Sequence, residues 1–276
     1  MYEAVHAHPD GRATAARFAA TADRYGYDGV IVRAVDADPD YDRLRESLPV
    51  DTGSSETLRA DAPDDRVDAG SSETLRADAP EARVDVVDAA EVVAPDPQHA
   101  SGAVGNARTE RTLVCVRGGT DALNRFAVEQ PRVDVLTRPF VGNPGSEGAR
   151  GADGGDVNHV LVKAARDNAV LIEVNLGPVL RENGGSRVRH LDRLRRLKRL
   201  LDHYDAPYVV SANAASHLQL RAPREVAAVG AAIGLGEEWT RAGLAAWGDR
   251  VVRNRHRRSE SFIAPGVERG RYEETD

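Results

Sequence analysis

A single cysteine, Cys115, in 276 residues excludes an internal disulfide framework and a cysteine metal cluster. It lies in the apolar run LVCV, where a buried structural thiol is the ordinary reading. No apolar stretch approaches the ~20 residues that span a bilayer, and the longest, Val226 to Leu235, is broken by Gly230 and Gly234. The opening MYEAVHAHPDGR lacks the basic region and apolar core of a secretory signal, so the chain reads as soluble and cytoplasmic. The absence of G-x-x-x-x-G-K-[ST], G-x-G-x-x-G and G-x-S-x-G removes the sequence case for an NTPase, a Rossmann dehydrogenase or a serine hydrolase.

Lysine is nearly missing: of 37 basic residues only Lys163 and Lys198 are lysines. An acidic, lysine-poor surface suits a high-salt cytoplasm and points to a halophilic archaeon, although a GC-rich genome has the same effect. The net charge of −7 hides a polarity along the chain. Residues 36–100 carry 18 acids and 6 bases, whereas residues 181–276 carry 18 bases and 13 acids. A nucleic-acid partner is to be sought in the second part.

Residues 53–63, GSSETLRADAP, recur unchanged at 70–80, a period of 17 that is too short for a solenoid. With few apolar side chains to bury, residues 51–80 read as a flexible acidic insertion. The Gly-rich loop 142–156 reads the same way, and 259–276 as a polar tail. Elsewhere strands alternate with helices. Strands are expected at 2–6, 29–35, 84–93, 112–116, 133–136, 169–174 and 208–211. Helices are expected from Asp10 to Tyr25, from Asp121 to Glu129, from an Asp156 cap to Asn168, over 187–204, from Pro223 to Ile233, and from Gly236 to Asn254. Seven parallel strands with crossover helices fit one (β/α) barrel of seven or eight units over residues 1–258; an open doubly wound sheet is the alternative.

His6 and His8 form an H-x-H pair at the end of the first strand, where side chains two apart point the same way. Asp36, Glu173 and His217 could complete a metal site of the phosphoesterase kind. No second H-x-H is present and His159 falls on a helix, which favours a structural or vestigial pair. Glu173 interrupts the apolar AVLIEVNL and needs a partner such as Arg33 or Lys163, or a function. The strongest physical feature is RVRHLDRLRRLKR, Arg187 to Arg199, with seven bases including Arg195 and one acid. Its leucines at 191, 194, 197 and 201 keep helical spacing, so they pack inward and the bases project outward. Arg253, Arg255, Arg257 and Arg258 form a second cluster, expected after the last helix. Two such clusters in an otherwise acidic chain fit RNA or another polyanion.

Three segments carry a family resemblance: VDVLTRP (133–139), VNHVLVKAARDNAVLIEVNLGPVL (157–180) and YVVSANAASHLQLRAPREVAAVGAAIGL (208–235), with AVHAH and YGYDGVIV at the N-terminus. They resemble the ribonuclease P protein component 3 family, the thirty-kilodalton ribonuclease P subunit. The resemblance implies a TIM-like barrel related to the PHP-type phosphoesterase barrel but without a working metal cluster. It implies a protein subunit of an endoribonuclease that removes the 5′ leader of precursor tRNA, with magnesium used by the catalytic RNA subunit and no cofactor on the chain. Implied partners are the ribonuclease P RNA, precursor tRNA, ribonuclease P protein component 2 and the other protein subunits. Lys163, Lys198 and Arg221, each expected on a helix, fall at family basic positions implicated in RNA contact, with Glu225 four residues after Arg221; Arg117 and Arg138 are further assignments. Arg195, Arg253 and Arg255 complete the expected RNA-binding set. A free-standing metal phosphoesterase or amidohydrolase using His6, His8 and Glu173 is the competing function, and a small-molecule α/β enzyme without a motif is a third.

Overall fold

The structure, a computed structural model, describes residues 1–35, 41, 84–140, 155–259, 262–264 and 267–268. The expected insertion at 51–80, Asp36 and residues 142–154 of the expected loop lie outside the described residues. Seven strands run β1 (Tyr2–Val5), β2 (Gly29–Ala34), β3 (Asp85–Val92), β4 (Leu113–Arg117), β5 (Val135–Thr137), β6 (Leu171–Asn175) and β7 (Tyr208–Ser211). They pair in parallel in sequential order, which is barrel topology and not the doubly wound alternative. Around them lie α1 (Ala15–Tyr25), α2 (Pro97–Glu110), α3 (Asp121–Glu129), α4 (His159–Asp167), α5 (Gly177–Arg181), α6 (Gly184–Tyr204), α7 (Pro223–Ala232) and α8 (Glu237–Arg257). A 3-10 turn, His217–Gln219, precedes α7, and a two-stranded hairpin, β8 (Phe262–Ala264) and β9 (Val267–Glu268), falls in the expected tail.

Several expectations need correction. Asp10 is not a helix cap: it accepts from Val35 N at 2.8 Å, and Thr14 caps α1. Asn158, not Asp156, caps α4, while Asp156 pairs with Arg196 at 2.7 Å. Helix α2 was not expected, because its Gly102, Gly105 and Asn106 interrupt the apolar stripe; Asp96 and Pro97 nevertheless open it as cap and first-turn residue. The RNRHRR cluster is not beyond the last helix, since α8 runs on to Arg257.

Strand alternation divides the barrel interior by height. Ala4, Ile31, Val87, Ala89, Leu113, Cys115, Val135, Leu171 and Val209 form the apolar filling. Trp247 and Val251 of α8 join that same cluster. Helix α8 therefore lies across the N-terminal end of the strands as a plug. Its Arg250 and Asn254 bond Asp134 just before β5, Asn254 also bonds Thr112 O before β4, and Arg255 pairs with Asp85 at the start of β3.

The barrel closes between β7 and β1 through a single bridge, Val5 to Ala214, so the seam must satisfy its backbone groups otherwise. Pro207 O and Ser211 O face β6, so Val210, Ala212 and Ala214 face the seam. Ala214 O accepts from His6 N at 2.9 Å, and Val210 O from Trp247 Nε1 at 2.9 Å. Ala212 N donates to the Glu3 carboxylate at 2.9 Å, and Ala212 O accepts from Arg181. The seam is closed by side chains where a ladder is missing.

Trp247→Ala should therefore cost about 3–5 kcal/mol, the range for emptying a buried aromatic site. Trp247→Phe, which keeps most of the area and strands one carbonyl, should cost about 1–3 kcal/mol. Denaturant titration of both variants checks this; a Trp247→Ala midpoint equal to the wild type would show that α8 is not integral to the barrel.

Candidate functional site

The C-terminal mouth is where a barrel places its chemistry, because the side chains there stand at the strand ends and the following loops surround them. Here the upper tier is polar on nearly every strand. Arg33 comes from β2, Glu91 from β3, Arg117 from β4, Thr137 from β5, Glu173 from β6 and Ser211 from β7. His6, Arg138 and Asn213 come from the residues just beyond strand ends. Arg33 is wholly buried and donates Nη1 to Glu173 Oε1 at 2.9 Å and Nη2 to Asn213 Oδ1. Of the two partners expected for Glu173, Arg33 is the one found. Glu173 Oε2 accepts from Arg138 N at 3.1 Å, and Arg138 holds a left-handed φ of 47°. Glu91 accepts from Thr137 Oγ1 at 2.8 Å and Arg117 Nε at 3.2 Å.

His6 Nε2 lies 3.0 Å from Asn213 Oδ1, 3.2 Å from Nη2 of Arg138 and 3.3 Å from Glu91 Oε2. Burial, reinforced by the charge of Arg33 and opposed by Glu91, pushes its pKa down to about 3. Burial works to raise the Glu91 carboxyl, but Arg33, Arg117 and Arg138 together hold it well below the usual carboxylate range. A histidine that resists protonation and a carboxylate stripped of basicity are poorly matched to proton transfer near neutral pH.

The residues do not fit a metal cluster. Arg33 and Arg117 engage one oxygen each of Glu173 and Glu91, Glu173 Oε2 accepts from the Arg138 backbone, and Glu91 Oε2 faces only His6, so cations stand where a metal would. His8 does not stand beside His6: the chain leaves the strand after Val5, so alternation no longer applies, and His8 is exposed while His6 is buried. His217 lies on the 3-10 turn outside the network, and His159 opens α4. No group of three His, Cys, Asp or Glu side chains able to hold an ion occurs among the described residues.

The basic residues singled out from the sequence fall in separate places. Arg117 and Arg138 belong to the mouth network. Lys163, Lys198 and Arg195 lie along α4 and α6. Lys163 is exposed, with Nζ 5.0 Å above the Tyr204 ring. Lys198 pairs with Asp202, and its Nζ is 5.1 Å above the Trp239 ring. Trp239 donates Nε1 to Asp202 at 2.8 Å and stacks on Tyr208 at 4.0 Å. The only two lysines of the chain are thus each seated on an aromatic face, where a compact ammonium fits. Tyr204 is six positions after Lys198, so the two seats lie on opposite flanks of α6. Arg195 donates to Ile233 O at 3.0 Å. Arg221 is not on a helix but precedes α7, its guanidinium turned back onto Leu218 and Leu220 carbonyls. Glu225 caps that helix start by accepting from Ala222 N at 3.0 Å. Arg253 and Arg255 stand at the opposite, N-terminal end of the barrel.

Sequence reasoning missed Glu91, Asn213 and the closing role of Glu3. A signal existed for Glu91, because a charge near the C-terminal end of an apolar strand recurs at Arg33, Glu91 and Glu173. None existed for Asn213, which lies in an unremarkable loop.

Residues 1–260 match the family model described as RNase P subunit p30. The chain is 54% identical to ribonuclease P protein component 3 of Halorubrum lacusprofundi over 99% of both chains. It is 48% identical to the protein of the same name from Natronomonas pharaonis, over 97% of this chain and 94% of the relative. In fold it resembles a chain in the cryo-EM structure of archaeal ribonuclease P with mature tRNA, with a TM-score of 0.69 and 17% identity over 100% of both chains.

Arg33→Met should destabilise the chain by about 3–5 kcal/mol by leaving buried carboxylates without their cation, and Arg33→Met/Glu173→Met should recover part of that loss. A double variant no more stable than the single would show that the pair is not the relevant unit. A second expectation concerns Glu3. Burial pushes its carboxyl up to about 7 from 4.5, against the opposing hydrogen bonds from Ser211 and Ala212. The folded state then holds the proton more tightly, so this contribution is full below about pH 4.5 and is lost as pH rises through about 7. Relative to Glu3→Gln, the wild type should lose melting temperature between pH 5 and 8; parallel curves would refute the shift.

Proposed function

The chain belongs to the RNase P subunit p30 family, a protein subunit of ribonuclease P, and from that premise we propose that it is an RNA-binding scaffold and not a catalyst by itself. It would bind the ribonuclease P RNA and a protein partner, ribonuclease P protein component 2, alongside the other protein subunits. The assembly would remove the 5′ leader of precursor tRNA, with magnesium serving the RNA subunit, in the cytoplasm.

The observation that carries this reading is the occupied mouth. Barrel enzymes keep exposed acids, bases or metal ligands at that end; here Arg33, Arg117 and Arg138 are bound to Glu91, Glu173 and Asn213. Binding is then left to the outside of the barrel. Lys163, Lys198, Arg195 and Arg221 are the proposed contacts on the flank, and Arg117 and Arg138 at the rim. Arg253 and Arg255 are proposed at the far end. A cation on a ring face keeps hydrogen-bond donors directed outward, which suits phosphate oxygens.

Alone, the chain should leave precursor tRNA intact; added to the RNA with component 2, it should lower the magnesium needed for cleavage. Lys163 has no carboxylate partner among the described residues, whereas Lys198 is paired with Asp202. Lys163→Ala should therefore weaken RNA binding more than Lys198→Ala, and reduce the slope of log affinity against log salt by about 0.7. Titration between about 0.1 and 1 M salt measures this, since screening shortens from ~10 to ~3 Å over that range. Wild-type binding and slope in a folded Lys163→Ala variant would remove Lys163 from the interface.

A further inference from the structure

At the N-terminal end of the barrel, beside the α8 plug, lies a cavity of about 350 Å³. Six arginines line it: Arg108, Arg132, Arg250, Arg253, Arg257 and Arg258. The one acid in the lining is Asp134, and it is fully committed. It accepts from Arg108 at 2.7 Å, Asn254 at 2.8 Å, Val114 N at 2.9 Å and Arg250 at 3.4 Å. Arg258 donates to Thr109 O at 3.1 Å. Arg132, Arg253 and Arg257 are exposed and have no hydrogen-bond or ion-pair partner among the described residues.

Folding gives no reason for this arrangement. Asp134 with Arg108, Arg250 and Asn254 already joins the plug to the barrel, Arg258 adds its bond to Thr109 O, and Arg132, Arg253 and Arg257 add only mutual repulsion. The charge of Arg253 and Arg257 helps lower the pKa of Arg250, after burial, the larger cause. Such a cluster becomes favourable when an anion enters.

We infer that this cavity is a phosphate site that takes a backbone phosphate of RNA, an inference that rests on the RNA-binding reading above. Two non-bridging oxygens can accept from several guanidinium forks at once, which suits arginine better than lysine. A volume of about 350 Å³ is at the lower end of small-ligand sites, ample for a phosphate with its sugar. Apart from arginine stems, the apolar lining is Pro131 and Ala169, so a protein partner would find no seat for an aromatic or aliphatic anchor.

The test compares the full chain with the variant Arg132→Ala/Arg253→Ala/Arg257→Ala, binding a ribonuclease P RNA transcript across a salt series. A charge-matched control, Arg17→Ala/Arg24→Ala/Arg125→Ala, removes three exposed arginines elsewhere. The cavity variant should keep its melting temperature, since the three side chains hold nothing. It should bind roughly tenfold more weakly at low salt, with a slope lower by about 0.7 per phosphate lost, and the control should change neither. If the wild type binds and the cavity variant binds equally, the cavity inference is overturned while the RNA-binding reading stands. If the wild type binds no RNA, that reading falls and the proposed occupant with it. Inorganic phosphate supplies the last arm. Stabilisation of the wild type by phosphate, lost in the cavity variant and not competed by the transcript, would assign the site to a free anion and overturn RNA as its occupant.

Discussion

A guanidinium with no exposed surface, that of Arg33, is the constraint around which the barrel mouth is organised. An ion taken out of water is tolerated only when its partners replace the lost hydration. Glu173 and Asn213 do so directly, and Glu91 adds a second negative charge nearby. Once Arg33 is in place, the rest follows. Glu173 needs a second donor and takes the Arg138 backbone. Glu91 takes Thr137 and Arg117. His6 is left neutral among three guanidiniums. Among the described residues, the mouth is thus tied into one ionic network.

The same logic operates at the seam. Seven parallel strands do not complete their own hydrogen bonding here, and the unpaired edge of β7 presents alternate carbonyls and amides toward β1. Glu3, Arg181 and Trp247 each take one of these groups. Trp247 does two things at once: its indole closes a backbone group, and its ring fills the interior from below. This ties α8 to the barrel so closely that the helix acts as a floor. Arg250 and Arg258 tie its outer side to the segments before β4, β5 and β6.

On the proposed reading, recognition falls to the outer surface of the described barrel. The flank and the floor differ in kind. On the flank, single ammonium groups sit on aromatic faces, each a point charge held by a ring. On the floor, several planar guanidiniums converge on one cavity with their lone carboxylate already used. Under the proposed function, one long polyanion would meet both kinds of site.

Much of the fold was legible from residues alone. Short apolar runs located all seven strands, and Asp121–Glu129 and Tyr208–Ser211 were placed to the residue, because strand and helix patterns are local properties of the chain. The sequence also marked Glu173 as a charge in need of a partner and named Arg33 as one of two candidates. The choice between Arg33 and Lys163 was not legible, nor was the contact of His6 with Asn213. These pairs lie 140 and 207 residues apart, and only barrel closure brings their strand ends to one height. Asp10 and His8 were misread for the related reason that a cap and a metal pair are defined by where the backbone turns. Composition and the alternation of strands with helices determined a parallel α/β fold with a basic C-terminal part, and the strand order decided for the barrel. Tertiary structure alone decided which charges are spent on one another inside it and which remain outside, because that division depends on burial, and burial is a property of the closed fold.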